Sequence, residues 1–347
     1  MNFLKRKAYY RTVVVILAVA CFVLILAATA FGSVSISITD VGSVIYAKII
    51  RNREMINNMD KADVFIVWNI RLPRILLSCL VGGLLSVVGT AYQAVFKNPM
   101  ADPYILGTSS GAAFGATVAI ILGFQTCFLG VGAISLSAFA MALLTTFIVY
   151  RLSKVGNKIS TTSLLLAGIV MSSFLSAIIS MLMIFNQNNI NSVFTWTLGS
   201  FSGAKWSDVK IVIIPVILGV VALFLHSREL NAMIMGDEHA HSLGVDVEKT
   251  KKRILILSSF LAAFAVAVSG IIGFVGLIVP HLFRLLVGPD HKILMPVSIL
   301  GGAIFMLICD TIARSIIQGM ELPVGIITAI FGGPFFLFLL RKSKRYN

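Results

Sequence analysis

The sequence predicts an all-α integral membrane protein, a polytopic bundle of about ten transmembrane helices, and three observations support this fold class. First, 58% of the 347 residues are hydrophobic and only 12% are charged, whereas a soluble domain carries about a quarter charged residues. Second, long apolar runs recur along the whole chain. Third, no run shows the alternation of a membrane β-barrel, which is the only other structure that satisfies its backbone in lipid.

Each apolar run has roughly the 20-residue length that a membrane span needs. The runs cover residues 12–32, 73–96, 105–124, 128–151, 160–185, 209–226, 253–270, 273–288, 293–314 and 323–340. Basic residues precede the first run as in a signal peptide, but a signal-peptide core has only about 7–15 residues. We therefore expect a retained first helix and a single transmembrane domain over residues 1–347.

The distribution of Lys and Arg predicts the orientation. With the N-terminus inside, the inside segments carry 19 of these residues and the outside segments carry 9, which together make the 28 in the chain. This bias favours a multi-pass protein of the cytoplasmic membrane with both termini cytoplasmic. The net charge of +14 lies in short loops between apolar runs, so we interpret it as a topology signal and not as a nucleic-acid surface.

Two polar segments are long. Residues 33–71 are predicted to lie outside, as an extracellular loop that is too mixed to span and holds a short surface helix. Residues 227–252 are predicted to lie inside, and their stretch 235–244 is typical of a short helix with an acidic first turn that ends at Gly244. An ordinary solvated loop is the alternative for this stretch. A metal site at His239 and His241 is disfavoured because no third ligand is nearby in sequence.

Small residues and cysteines predict packing more than chemistry. Gly107, Gly111 and Gly115 recur at four-residue spacing, which permits close helix contact. The cysteines are far apart in or beside apolar runs, so we interpret them as small core residues and expect neither a metal pair nor a disulfide framework. They are Cys21, Cys79, Cys127 and Cys309.

The chain contains no Gly-Lys dipeptide and hence no phosphate-binding loop of the Walker A type. We therefore expect no enzyme and no cofactor, and an energy source on another chain if transport is active. The fifth run is rich in Ser, Ala, Gly and Met, and no carboxylate or histidine cluster marks a bare metal ion site there. A helix surface of this composition suits a channel that interacts only weakly with a bulky chelate passing through it.

Five segments in order along the chain carry a family resemblance. They are Arg71-Leu72-Pro73-Arg74, residues 93–107 (QAVFKNPMADPYILG), residues 164–168 (LLLAG), residues 273–284 (GFVGLIVPHLFR), and residues 321–325 (ELPVG) followed by Gly332-Gly333-Pro334. Together they resemble the FecCD-type permeases, the membrane subunits of binding-protein-dependent ABC importers for ferric siderophores, haem or vitamin B12. The resemblance runs from about residue 71 to the C-terminus and implies the fold of a type II ABC importer permease.

The resemblance also implies roles for particular residues. A cytoplasmic gate is expected at Asn98, Met100, Thr161 and Thr162. The 227–252 segment is expected to couple to the ATPase through Gly236, Asp237, Glu238, Ala240, Leu243 and Gly244. The binding protein is expected to dock on Arg71, Arg74 and Arg314.

Simpler interpretations of the same residues remain open. Asn98 lies in a turn with two prolines that is rigid in itself, and Ser160, Thr161 and Thr162 are plausible helix caps. The three arginines could anchor to lipid headgroups, and Arg314 could instead pair with Asp310 four residues earlier.

The expected partners are a second permease subunit, either an identical copy or a close homologue, ATP-binding subunits inside, an external binding protein and membrane lipid. Within the family an iron(III)–siderophore complex is the expected cargo, with vitamin B12 or haem as alternatives. An ion-coupled secondary transporter is the alternative from another class. It usually needs an ionisable relay inside the membrane, and the chain offers little beyond His281.

Overall fold

The computed structural model describes residues 3–32, 36–124, 127–128, 131–156, 158–317 and 319–343. Helices dominate this part of the chain, which confirms the predicted all-α bundle. The first helix, α1 (Phe3–Ala30), defines the two faces of the bundle. We call the face where α1 begins the lower face and the face where it ends the upper face.

The other α-helices follow in chain order. They are α2 (Ile38–Ile49), α3 (Arg53–Asn57), α4 (Lys61–Phe65), α5 (Leu72–Val95), α6 (Thr108–Ile121), α7 (Ala133–Leu152), α8 (Thr161–Phe185), α9 (Ile190–Thr197), α10 (Trp206–Leu225), α11 (Ser227–Ile234), α12 (Asp237–Ser242), α13 (Val247–Ser269), α14 (Val275–Val287), α15 (His291–Ser315) and α16 (Val324–Ser343). A π-helical turn over Ile66–Arg71 leads into α5, and a 3₁₀ turn over Gln187–Asn189 leads into α9. Two minimal hairpins pair β1 (Cys127–Phe128) with β2 (Val131–Gly132) and β3 (Lys154–Val155) with β4 (Lys158–Ile159).

Each of the ten predicted apolar runs contains a helix. Seven of the described helices are long and apolar enough to cross a membrane, namely those in α1, α5, α7, α8, α10, α13 and α15. The remaining three runs hold the shorter apolar helices α6, α14 and α16. Two of these are short because left-handed residues limit them: Gly107 (φ 75°) precedes α6, and Phe274 (φ 71°) precedes α14.

Helix α5 forms the centre of the bundle and packs against α10, α13, α14 and α15. In its apolar window 83% of the residues are buried, against 17% in α8, so most of the α8 surface is uncovered in the isolated chain. Close approach around α5 depends on paired glycines. A Cβ on Gly89 would overlap the backbone of Gly276, and one on Gly82 would overlap that of Gly302.

The predicted glycine contact lies between α6 and α7. A Cβ on Gly111 would overlap Thr145, and one on Gly115 would overlap the backbone of Ser137. The Ser137 hydroxyl donates to the Gly115 carbonyl over 2.8 Å. The small residues therefore bring the two helices together, as expected from their spacing.

Residues 36–71 form a small structure on the upper face in place of the single surface helix that was predicted. The helices α2, α3 and α4 pack through an apolar cluster that includes Val41, Val44, Val64 and Val67. The Trp206 indole nitrogen donates to the Trp68 carbonyl over 2.7 Å, which ties this structure to the start of α10.

Two of the cysteines that are far apart in sequence lie near each other in the fold. Cys21 of α1 and Cys79 of α5 are 58 positions apart in the numbering, yet Cys79 packs against α1 close to Cys21. Both are free thiols. Sequence separation could not show this contact because two antiparallel spans bring the positions together.

Candidate functional site at the two ends of the bundle

The 227–252 segment lies at the lower face and contains two short helices, α11 and α12. The helix predicted within residues 235–244 is shorter than expected, because Gly236 has a φ of 123° and α12 begins only at Asp237. At the other end Gly244 has a φ of 81°, the left-handed conformation that the sequence predicted there. Glycines therefore delimit α12 on both sides.

Asp237 fastens α12 to two membrane helices. Its carboxylate lies 2.7 Å from the Lys97 ammonium just beyond α5 and 2.8 Å from the Lys251 ammonium in α13. Partial burial alone would raise the pKa of Asp237, but the hydrogen bonds and positive charges of Lys251 and Lys97 outweigh it and lower the pKa. The carboxylate is therefore ionised at neutral pH and engaged inside the subunit.

The other residues that are expected to couple to the ATPase differ in solvent exposure. Glu238, Leu243 and Gly244 are exposed, whereas the Ala240 side chain is completely buried beneath the segment. Exposed Met235 adds an apolar side chain that sequence analysis did not include. Next to α12 a surface cleft of about 640 Å³ is lined by Lys97, Met235, Gly236, Asp237, Glu238, His239 and Ser242.

Sequence analysis missed a second connection of this segment. Asn231 of α11 accepts hydrogen bonds from the backbone nitrogen of His291 and from its ring Nδ1, each over 2.8 Å. The amide nitrogen of Asn231 donates to Asp290 over 2.7 Å. No local pattern links positions 231 and 290, and Asp290 before an apolar run indicates only a helix cap.

The residues expected at the gate lie in a turn and at the start of α8. The Asn98 side chain accepts a hydrogen bond from the Met100 backbone nitrogen over 2.9 Å, which agrees with the rigid-turn interpretation. Ser160 caps α8 by accepting from the backbone nitrogen of Ser163 over 3.2 Å. Thr161 is half-buried and Thr162 is exposed, so neither threonine provides the cap.

At the upper face the three predicted arginines are buried and belong to one cluster. We define the upper cluster as Arg71, Arg74, Asp310, Arg314 and Glu321. Arg74 binds both oxygens of Asp310 through Nε, over 3.0 and 3.1 Å, and binds Glu321 through Nη1 over 2.8 Å. The alternative pairing of Asp310 with Arg314 is therefore wrong, because Asp310 pairs with Arg74 instead.

The other two arginines bind the last carbonyls of α1. Arg71 donates to the carbonyls of Thr29 and Ala30 over 2.8 and 3.0 Å, and Arg314 donates to that of Ala28. The final carbonyls of a helix lack intrahelical partners and carry partial negative charge. The guanidinium groups thus cap α1 and join it to α5 and α15.

Glu321 is the accessible member of the upper cluster. Its side chain is 48% exposed, against 7% for that of Arg74. Burial alone would raise the pKa of Glu321, but the hydrogen bond and charge of Arg74 lower it. In this conformation the cluster therefore exposes the Glu321 carboxylate at the surface, while the guanidinium groups are buried.

Comparison with known proteins places these features in a family. The FecCD transport family matches residues 18–342. The cobalamin import permease BtuC of Halobacterium salinarum is 46% identical over 80% of this chain and 74% of its own length. The hemin transport permease HmuU of Yersinia pestis is 39% identical over 84% of this chain and 88% of its own. The molybdate import permease MolB of Haemophilus influenzae is 35% identical over 90% of both chains.

A solved structure agrees with the sequence comparisons. It is the inward-facing conformation of an ABC transporter assigned to the metal-chelate type, and it superimposes with a TM-score of 0.82. The two chains are 32% identical, and the superposition covers 96% of this chain and 99% of the other. The predicted type of fold is therefore confirmed over nearly the whole length.

Proposed function

Because the chain belongs to the FecCD transport family of ABC importer permeases, we propose that it carries a bulky metal chelate inward across the cytoplasmic membrane. The match over residues 18–342 carries this proposal. An iron(III)–siderophore complex is the cargo that sequence analysis expects, and cobalamin and haem are supported by the names of relatives. ATP hydrolysis on a separate subunit supplies the energy.

The uncharged surface of α8 favours a chelate over a bare ion. Residues Thr161–Phe185 include no acidic, basic or histidine side chain, and much of this helix is exposed in the isolated chain. A bare cation or a small oxyanion leaves water only where charged or polar ligands replace its hydration. In a chelate the organic ligand already coordinates the metal, so the complex can pass along an uncharged helix surface. A second permease copy facing α8 would complete the path.

The lower face is proposed to be cytoplasmic, which follows from the distribution of Lys and Arg. The 227–252 segment then faces the ATPase. Exposed Glu238, Leu243 and Met235 would enter the ATPase surface, while Asp237 and buried Ala240 would hold the segment to the bundle. Gly236 and Gly244 would set the position of α12. Asn98, Met100, Thr161 and Thr162 would form the gate on this same face.

The upper face would receive the loaded binding protein. Arg71, Arg74 and Arg314 are the proposed docking residues, yet their guanidinium groups have internal partners. We therefore propose that an incoming carboxylate replaces Glu321 at Arg74, because Glu321 is the exposed partner in the upper cluster. Arginine suits this exchange since its planar fork can hold two carboxylates at once.

Reconstitution of the permease with its ATPase and binding protein in liposomes tests the function. We expect ATP-dependent uptake of one of three probes: a ferric hydroxamate siderophore, cobalamin or haem. The matched control is the same complex carrying an ATPase that binds but does not hydrolyse ATP. Uptake that continues in this control would favour a secondary carrier. Uptake of molybdate alone would contradict the organic-chelate proposal.

A further inference from the structure

Asn231, Asp290 and His291 form a hydrogen-bonded contact between α11 and α15, which we call the α11–α15 joint. The backbone N–H of His291 can only donate, so the oxygen of the Asn231 amide must face it. The ring Nδ1 contacts that same oxygen and must therefore carry a proton. The amide nitrogen of Asn231 then faces the Asp290 carboxylate, which fixes all three partners in one orientation.

The joint holds α11 to the first turn of α15. Asp290 is the N-cap of α15, and its carboxylate also accepts from the backbone nitrogen of Lys292 over 3.0 Å. The His291 side chain is completely buried. On α11 the neighbours Leu230 and Met233 are also completely buried in the main core. Directional hydrogen bonds thus fix a contact that apolar packing alone would allow to slide.

Helix α15 connects this joint to the opposite face. Its 25 residues give a length of roughly 37 Å at 1.5 Å per residue. At the lower end it carries the joint, and at the upper end it carries Asp310 and Arg314 of the upper cluster. The contacts of Asp237 lead to Lys251 in α13 and to Lys97 just beyond α5, and α5 reaches the upper cluster through Arg74. The α11–α15 joint is a separate polar connection, which joins the 227–252 segment to α15 and so to Asp310 and Arg314.

We propose that Asn231 is a positioning residue that transmits movement of the 227–252 segment to α15 and, through it, to the upper face. The inference rests on the proposed role of this segment in coupling to the ATPase. Asn231 is only half-buried but all its described hydrogen bonds are internal. Loss of the joint should therefore leave ATPase attachment intact but lower the amount of cargo taken up per ATP hydrolysed.

An exchange of side chains across the joint tests the proposal. Asn231→Asp places two carboxylates side by side and removes the donor to Asp290. The double variant Asn231→Asp, Asp290→Asn restores one donor and one acceptor, because the new amide at 290 can donate to position 231 and accept from Lys292. Asp290→Asn alone keeps an acceptor for Asn231 and serves as the matched control.

The readout is cargo taken up per ATP hydrolysed by the reconstituted complex, with cobalamin, haem and a ferric hydroxamate as probes. We expect Asn231→Asp to lower this ratio by about fivefold or more, the lower end of typical coupling between sites. The double variant should recover to within about twofold of the wild type on the same scale. ATPase attachment should be unchanged in all variants. An unchanged ratio in Asn231→Asp, or no recovery in the double variant, would overturn the proposal.

A second readout needs no cargo and separates this inference from the proposed function. Ile308 of α15 is 42% exposed in the upper half of the helix, so Ile308→Cys reports on α15 in a background without other cysteines. ATP should change the reactivity of this thiol when Asn231 is present and not in Asn231→Asp or, if that variant does not assemble, in Asn231→Ser. The same ATP response in these variants would refute the joint even if no probe is transported.

Discussion

Arg71, Arg74 and Arg314 were placed at the correct helix ends from the sequence, but their partners could not be predicted. Arg74 and Asp310 are 236 positions apart, so no local spacing indicates their pair. The local spacing that does exist, between Asp310 and Arg314, suggested only the alternative of an ion pair that the structure does not form, since Asp310 pairs with Arg74. Backbone carbonyls of α1 as acceptors carry no sequence signal, because every residue has one. Buried polar contacts between distant segments are therefore the part of the site that could not be predicted from the sequence.

The buried pair of Arg74 and Asp310 makes a residue-level prediction about stability. Removing one member leaves an uncompensated buried charge, which costs roughly 3 kcal/mol or more. Arg74→Met should lower the free energy of unfolding by about this amount, and Asp310→Leu should lower it less, because Arg74 keeps its ion pair with Glu321. The double variant should lose much less than the sum of the two, because neither charge remains. Thermal unfolding of the purified protein in detergent measures all three variants.

Glu321→Gln is the control for this cycle. The Glu321 side chain is 48% exposed, so its ion pair with Arg74 is screened by water and should contribute at most about 1 kcal/mol. Additive losses in the Arg74→Met, Asp310→Leu double variant would show that the pair does not act as a buried unit.

Gly244 gives a second residue-level prediction, for coupling. A Cβ at Gly244 would meet no atom within 4 Å, so only its φ of 81° opposes a side chain. A β-branched residue in this conformation is strained by on the order of 1 kcal/mol or more. Gly244→Val should therefore move or unwind α12, and we expect weaker ATPase co-purification or ATP hydrolysis without uptake.

Two controls isolate the backbone effect at Gly244. Asparagine tolerates the left-handed conformation, so Gly244→Asn should retain most of the uptake. Gly42 is equally open, but its φ is not positive, so Gly42→Val should not affect coupling. Normal uptake and attachment in a stably expressed Gly244→Val variant would contradict a coupling role for the end of α12.

At the scale of elements, hydrophobic length predicted where the helices lie but not where each one ends. The runs containing α6 and α14 were expected to be spans of ordinary length, whereas Gly107 and Phe274 delay the start of the helices. Apolar residues such as Ile105 and Leu106 continue the run before α6 begins, so composition alone does not mark where the helix starts. The 36–71 region was underestimated for a similar reason, because α2, α3 and α4 are too short for a periodic pattern.

The contact between α1 and α5 makes a prediction at this scale. Cys79 packs against α1 close to Cys21, so a membrane-permeant oxidant such as copper phenanthroline should take two electrons and two protons from the two thiols and join them as a disulfide. With a protease site inserted between α2 and α3, the two fragments should stay together on a non-reducing gel. The fragments should separate after the disulfide is reduced. In a Cys79→Ser control they should separate even without reduction. Separation of the oxidised wild-type fragments would refute this helix pairing.

At the scale of the whole molecule, the order of the helices across the bundle follows from contacts at its two ends. The start of α15 packs beside Val13 and Val14 of α1 at the lower face, and the end of α15 reaches Ala28 at the upper face. Glu321 before α16 and the start of α5 meet in the upper cluster. Family membership and the superposition of nearly the whole chain fit this arrangement. Which face lies in the cytoplasm depends on the charge distribution alone.

Thiol labelling tests that orientation directly, in a background where the native cysteines are replaced. Asn57 and Ser207 are exposed near the upper face, and Lys154 and Lys249 are exposed near the lower face. A single cysteine at Asn57 or Ser207 should react with an impermeant maleimide on intact cells. One at Lys154 or Lys249 should react only after permeabilisation, because 19 of the 28 basic side chains are predicted to hold the lower face inside. Labelling of Lys154→Cys on intact cells would invert the topology, and the 227–252 segment could then no longer meet an ATPase that lies in the cytoplasm.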